Sequence, residues 1–162
     1  QTYDHVTLAP LGHWVEGGNG GYSRLGFDGN RVRGKRKMSP DSAEATLDFE
    51  MQTRGFVASA SDLVPLAVKS ALKPGAVMTA PLWGPQMTNA EMRIFTVVGK
   101  VPKNIEGKDW MPWKVEERRQ SDRKLLAIWY LVEESPYMIG GEVFLPNGRV
   151  QHMTEVAIPM PR

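Results

Sequence analysis

Apolar and polar residues alternate in short runs along most of this chain, and glycine-bearing turns cut the runs at intervals too short for ordinary helices. The stretch LGHWVEGGNGGYSRLGFDGNRVRGKRK, residues 11–37, is the clearest case. It predicts three strands, 11–16, 22–27 and 31–37, with turns at Gly17–Gly21 and at Asp28-Gly29-Asn30. Asp-Gly between alternating runs is a hairpin signal, because a type I′ turn needs positive φ at both central positions. EATLDFEMQ then places Ala45, Leu47, Phe49 and Met51 on one face and Glu44, Thr46, Asp48, Glu50 and Gln52 on the other, the pattern of a half-buried strand.

One segment breaks the strand pattern. In SDLVPLAVKSALKPG, Asp62 can cap a helix, Pro65 falls in its tolerant first turn, and Val64, Leu66, Val68, Ala71 and Leu72 form an apolar stripe. A helix is therefore expected near residues 62–72. Further strands are expected from Ala76, Glu91, Trp110, Lys124, Tyr137 and Arg149, with the most loop-like connections at 102–109 and 120–122. The closing stretch AIWYLVEESPYMIGGEVFLPNGRV reads as three strands broken at Ser135-Pro136 and at Pro146-Asn147-Gly148. Gly140-Gly141 inside a strand is costly, so it signals a bulge, a sharp bend or a surface where another backbone comes close.

Roughly ten strands and one helix imply a mainly β chain. The expected fold is a single curved antiparallel sheet, an open barrel or half-barrel, with the helix packed on it. At 162 residues the chain is long enough for one sizeable core, so residues 1–162 are read as a single domain. The chain starts at Gln1, which fits either a processed product or a domain lacking an amino-terminal segment. Hydrophobic residues make up 41% and charged residues 23%, a globular composition, and no apolar run reaches the roughly 18 residues of a spanning helix.

Composition also narrows the chemistry. Lys and Arg number 20 against 18 Asp and Glu, so nucleic acid is not an expected partner. Cysteine is absent, which removes disulfides, thiolate metal sites and cysteine nucleophiles from this sequence. His5, His13 and His152 stand far apart with no second ligand at metal spacing, and neither metal nor cofactor is expected. No nucleophile elbow is present, and Ser59 and Ser61 precede the expected helix as ordinary starting residues. Glu116-Glu117 and Glu133-Glu134 are adjacent on strands, so each pair sends at most one carboxylate inward. Gly17–Gly21 lacks the following helix and Gly-Lys-Ser/Thr of a phosphate cradle, and reads as a hairpin loop.

Two features remain as candidate binding surfaces. RVRGKRK carries five positive charges in seven residues; Arg31, Arg33, Lys35 and Lys37 share one face and leave Val32 for the core, forming a solvated strand or a basic docking face. The aromatic residues supply the other. Trp14, Trp83, Phe95, Trp129 and Tyr130, with the Gly140-Gly141 pair, are the candidates for lining a ligand or partner site. Adjacent Trp129 and Tyr130 must point to opposite sides of their strand, one into the core and one to whatever lies across the sheet.

The order TLAPLGH, RLGFDGNRVRGK, LDFEM, the SDLVPLAVKSALKPG segment, VVGKV, WMPWKVE and IWYLVEESPYMIGGEVFLPNGRV resembles the DUF3108-like group of bacterial exported proteins. The resemblance spans nearly the whole chain. It implies an open β-barrel or half-barrel similar to the LolA-like lipoprotein-carrier architecture, and a periplasmic or otherwise exported location. It brings no catalytic residues. The leading expectation is a non-enzymatic exported domain that binds an apolar small molecule or an envelope protein through a curved sheet. The alternatives are an accessory subunit of an envelope or membrane complex, gripping through a sheet edge, the Arg31–Lys37 face or exposed loops such as Lys103 to Trp113 with peripheral membrane association, and a hydrolase built on His13, His152 or Glu116.

Overall fold

The structure is a computed structural model, and it describes residues 2–4, 9–16, 20–56, 72–84, 87–134 and 138–154. Among these residues the chain is antiparallel β with no helix. The helix expected at 62–72 lies outside the described residues except for Leu72, as do Gly17–Asn19 and Ser135-Pro136. The chain forms two compact units, one of residues 1–59 and 81–91, the other of 60–80 and 92–162.

The first unit is a five-stranded meander of β1 (Thr2–Tyr3), β2 (Pro10–Glu16), β3 (Tyr22–Asp28), β4 (Arg31–Lys37) and β5 (Ala45–Glu50), in that spatial order. The hairpin between β3 and β4 pairs Asp28 with Arg31, so the central turn residues are Gly29 and Asn30. Positive φ occurs at Gly29 alone, at 59°, which is the type II′ pattern with glycine first and not the expected type I′. Asn30 then closes the far end by donating from Nδ2 to Glu50 Oε1 at 2.9 Å and to the Met51 carbonyl at 2.8 Å. Alternation sends Leu25, Phe27 and Val32 inward, and they meet Met51, Phe56 and Trp83 in a closed cluster. Phe27, Phe56 and Trp83 pack edge to face, with centroids 5.5 to 6.3 Å apart.

The second unit contains most of a six-stranded sheet in the order β13-β12-β11-β10-β7-β6. These strands are β6 (Val77–Leu82), β7 (Glu91–Lys100), β10 (Trp113–Arg119), β11 (Leu125–Leu131), β12 (Met138–Phe144) and β13 (Val150–Thr154). The expectation of a single sheet is therefore not met. Met51 and Phe56 turn into the first core instead of continuing the ladder from β5, and the next strand, β6, joins β7. Alternation identifies strands and their wet faces but does not name their neighbours.

Two local readings are also corrected. Residues 102–109, expected as loop, hold most of a small hairpin, β8 (Lys103–Ile105) with β9 (Lys108–Trp110). Its turn residues Glu106 and Gly107 have φ of 51° and 78°, the type I′ geometry, and a glutamate in the first position hid the signal. The strand expected from Trp110 instead starts at Trp113, after buried Pro112, because proline has no amide hydrogen for the ladder. The Pro146-Asn147-Gly148 turn stands as expected: Gly148 has φ 79°, and Leu145 N–H donates to the Arg149 carbonyl at 2.8 Å.

Candidate functional site

The glycine pair of β12 is explained by the strand beside it. Trp129 lies directly across from Gly141, and Tyr130 from Gly140. A Cβ at Gly141 would stand 2.8 and 3.0 Å from two carbons of the Trp129 indole. At Gly140 it would meet the Met153 carbonyl oxygen at 3.2 Å and Ile105 Cδ1 at 3.3 Å, with a Tyr130 ring carbon at 4.0 Å. Gly141 clears room for the Trp129 ring on one face, while Gly140, on the face of Tyr130, clears room for the Met153 carbonyl and Ile105. Both rings are buried, Trp129 at 5% and Tyr130 at 6% exposed, so neither opens onto solvent as a ligand wall. The ladder also shifts beside the pair: Tyr130 and Leu131 pair with Gly140 and Met138 and leave Ile139 over, a bulge next to the glycines, one of the three alternatives their sequence raised.

On the Trp129 face sits Glu117, a carboxylate only 5% exposed. It accepts a 2.9 Å hydrogen bond from Trp129 Nε1, and Arg93 Nη1 lies 3.6 Å away. Burial raises its pKa above the ordinary 4.5, against the opposing pull of the Trp129 hydrogen bond and the Arg93 charge. A carboxyl whose folded pKa is raised gives its full stabilisation below the unfolded value and loses it as pH climbs through the folded one. Glu117→Gln keeps an acceptor for Trp129 and removes the titration. Urea midpoints measured from pH 4.5 to 8 are expected to fall less for this variant than for the parent; parallel profiles would contradict the raised value.

The opposite face carries a polar row. Glu142 Oε1 accepts from Lys103 Nζ at 2.7 Å and from the Tyr130 hydroxyl at 3.0 Å. Those contacts hold the Glu142 carboxyl below its ordinary range, chiefly through the Lys103 hydrogen bond. Together with Ile105 against Gly140, Lys103 fastens the small hairpin to the sheet. Glu116 sits between Lys114 at 3.0 Å and Arg118 at 2.9 Å, an ion-paired strand carboxylate. His152, exposed, lies across β12–β13 from Glu142, while His13 is buried on β2 in the first unit. Among the described residues no three His, Asp or Glu side chains gather as a metal site, and no helix is long and apolar enough to cross a membrane.

The basic strand lies as the alternation requires, with Val32 fully buried and Arg31, Arg33 and Lys35 exposed. Its charges are largely answered. Arg31 grips Asp48 through two hydrogen bonds of 2.8 and 3.1 Å, and Lys35 lies 2.7 Å from Glu44, which also accepts from the Tyr22 hydroxyl.

Trp83, Phe95, Trp129, Tyr130 and both candidate glycines are buried; Trp14, at 63% exposed, is the candidate that stands in solvent. Trp14 pairs across β2–β3 with Arg24. Glu16 pins both, accepting from Arg24 Nη2 at 3.0 Å and from Trp14 Nε1 at 3.4 Å, and the guanidinium lies 5.0 Å from the indole centroid. Beside them is an open hollow of about 370 Å³ lined by Thr2, Gly12, His13, Trp14, Arg24 and Leu25. Sequence reading found Trp14 but missed Arg24, Gly12 and Thr2. The sequence carried no direct signal for them: Trp14 is brought beside Arg24, and Gly12 opposite Gly26, by the β2–β3 register of the folded sheet.

No family model, curated protein or solved structure matches this chain.

Proposed function

We propose that this chain is a non-enzymatic binding domain of the bacterial envelope that seats an apolar ligand, or an apolar side chain of a protein partner, against Trp14. The observation that carries the reading is the exposure of that indole at the mouth of the hollow, while the other aromatic candidates are consumed in packing. A tryptophan held in place by a carboxylate and an arginine presents a rigid apolar surface at little cost in side-chain ordering on binding. The envelope location rests on the sequence resemblance.

The test is native mass spectrometry and solvent extraction of the protein from its natural source. The parent is expected to carry an apolar molecule or a fixed partner that Trp14→Ala has lost. A parent free of both overturns the proposal.

A further inference from the structure

Hydrogen bonding alternates along an antiparallel strand, so the amide and carbonyl of each residue face one neighbouring strand or the other. Met51 N–H donates to the Asn30 carbonyl at 2.9 Å, which fixes the phase in the first sheet. The even-numbered residues of β4 therefore bond to β5 and the odd-numbered ones to β3. Carried on through the unbroken β3 register, the same alternation turns His13 and Val15 of β2 toward β3. The even-numbered residues of β2 face outward, and on that side β1 meets only Gly12 and Pro10. Among the described residues, the backbone groups of Trp14 and Glu16 thus face an open edge.

Proteins guard such edges with charge, proline or brevity. At the far side of this sheet β5 exposes Ala45, Thr46, Asp48 and Glu50, none of them a large apolar residue. In the other sheet β6 exposes Val77 but contains Pro81, and β13 exposes Val150. β2 exposes three large apolar side chains, Trp14 with Leu11 at 52% and Val15 at 46%. Its one Asp, Glu, Lys or Arg is Glu16, which is turned onto Arg24. Leu11 and Val15 lie on the face opposite Trp14. A small molecule on the indole would leave both of them in water. An extended chain laid beside β2 covers both faces at once and also takes up the open backbone groups. The hollow lined by Thr2 and Trp14 lies along this stretch and has room for a side chain of such a strand.

We propose that β2 is a strand-addition site, taking an extended segment of a partner protein along residues 14–16, with apolar side chains against Trp14 on one face and Val15 on the other. This rests on the apolar-binding reading of Trp14 and names the occupant. Val15→Lys is the decisive variant, because it places a charge beside the added strand on the face away from the indole.

The probe is a fluorescein-labelled heptapeptide in which valine and threonine alternate between terminal lysines. Its control is the same peptide N-methylated along the backbone, which keeps the side chains and loses the donors for the Trp14 and Glu16 carbonyls. Anisotropy titrations of the parent are expected to favour the unmethylated peptide by about tenfold, the scale of two ladder hydrogen bonds. Trp14→Ala and Val15→Lys should each weaken it several-fold at unchanged melting temperature, since both side chains are exposed and the strand lies against both. Equal affinity for the two peptides, or parental affinity in Val15→Lys, overturns the proposal, as does a parent that binds neither peptide. So does sedimentation of the parent as a dimer that Val15→Lys separates, because the occupant is then a second copy. If the proposal falls while an extracted apolar molecule is lost in Trp14→Ala, the apolar-binding reading stands alone; with no extracted molecule or partner, both fall.

Discussion

Gly141→Val is expected to be among the most damaging substitutions in the second unit, costing about 1–3 kcal/mol or more. The added Cβ alone would enter within 3.0 Å of two indole carbons, and the two further methyl carbons of valine worsen the conflict. The indole has little freedom to retreat, since Trp129 is buried and its Nε1 is tied to Glu117 at 2.9 Å. Urea unfolding measures the loss. A double-mutant cycle with Trp129→Leu separates crowding from a general intolerance of side chains at this position. Removing the ring should make valine at 141 markedly less costly. If Gly141→Val unfolds at the parental midpoint, the ring is not seated over the glycine.

Trp83→Ala is expected to cost about 3–5 kcal/mol, the usual range for deleting a large buried aromatic side chain. Three effects add. The indole's apolar surface is fully withdrawn from water, its edge-to-face contacts with Phe27 and Phe56 disappear, and the Met87 carbonyl loses a 2.9 Å hydrogen bond from Nε1. Trp14→Ala is the internal comparison. Its side chain is mostly solvated, so its stability change should stay within about 0.5 kcal/mol. Denaturation midpoints of the two variants distinguish a packed tryptophan from a displayed one; equal losses would contradict this assignment of Trp83 to the core and Trp14 to the surface.

These two tryptophans show what the chain discloses before it is folded. Alternation around Val32 correctly assigned the wet and dry sides of β4, and Asp28-Gly29 located a hairpin although its turn type differed. Such information is local, because side-chain direction repeats every two residues within a strand. It does not say which edge β6 will choose, which is why one sheet was expected where the strands separate into two principal sheets and a small hairpin. The aromatic candidates were over-read for the same reason. Trp129 and Tyr130 do face opposite ways, but seeing that both faces are covered requires knowing that Ile105 folds back onto Gly140. The glycine pair was marked for a bulge, a bend or an approaching backbone; a backbone carbonyl does come close at Gly140, but at Gly141 the nearest approach is the Trp129 ring, which only the register discloses.

The opposition of Trp129 to Gly141 also carries a consequence for sequence divergence. Position 141 can accept bulk without damage only after position 129 has become smaller, so the two sites constrain one another as a single inherited feature across neighbouring strands. Drift that enlarges 141 first passes through a destabilised intermediate, whereas drift that shrinks 129 first leaves space that a later side chain can fill. The order of substitutions is thereby biased by one ring lying over one missing methyl group.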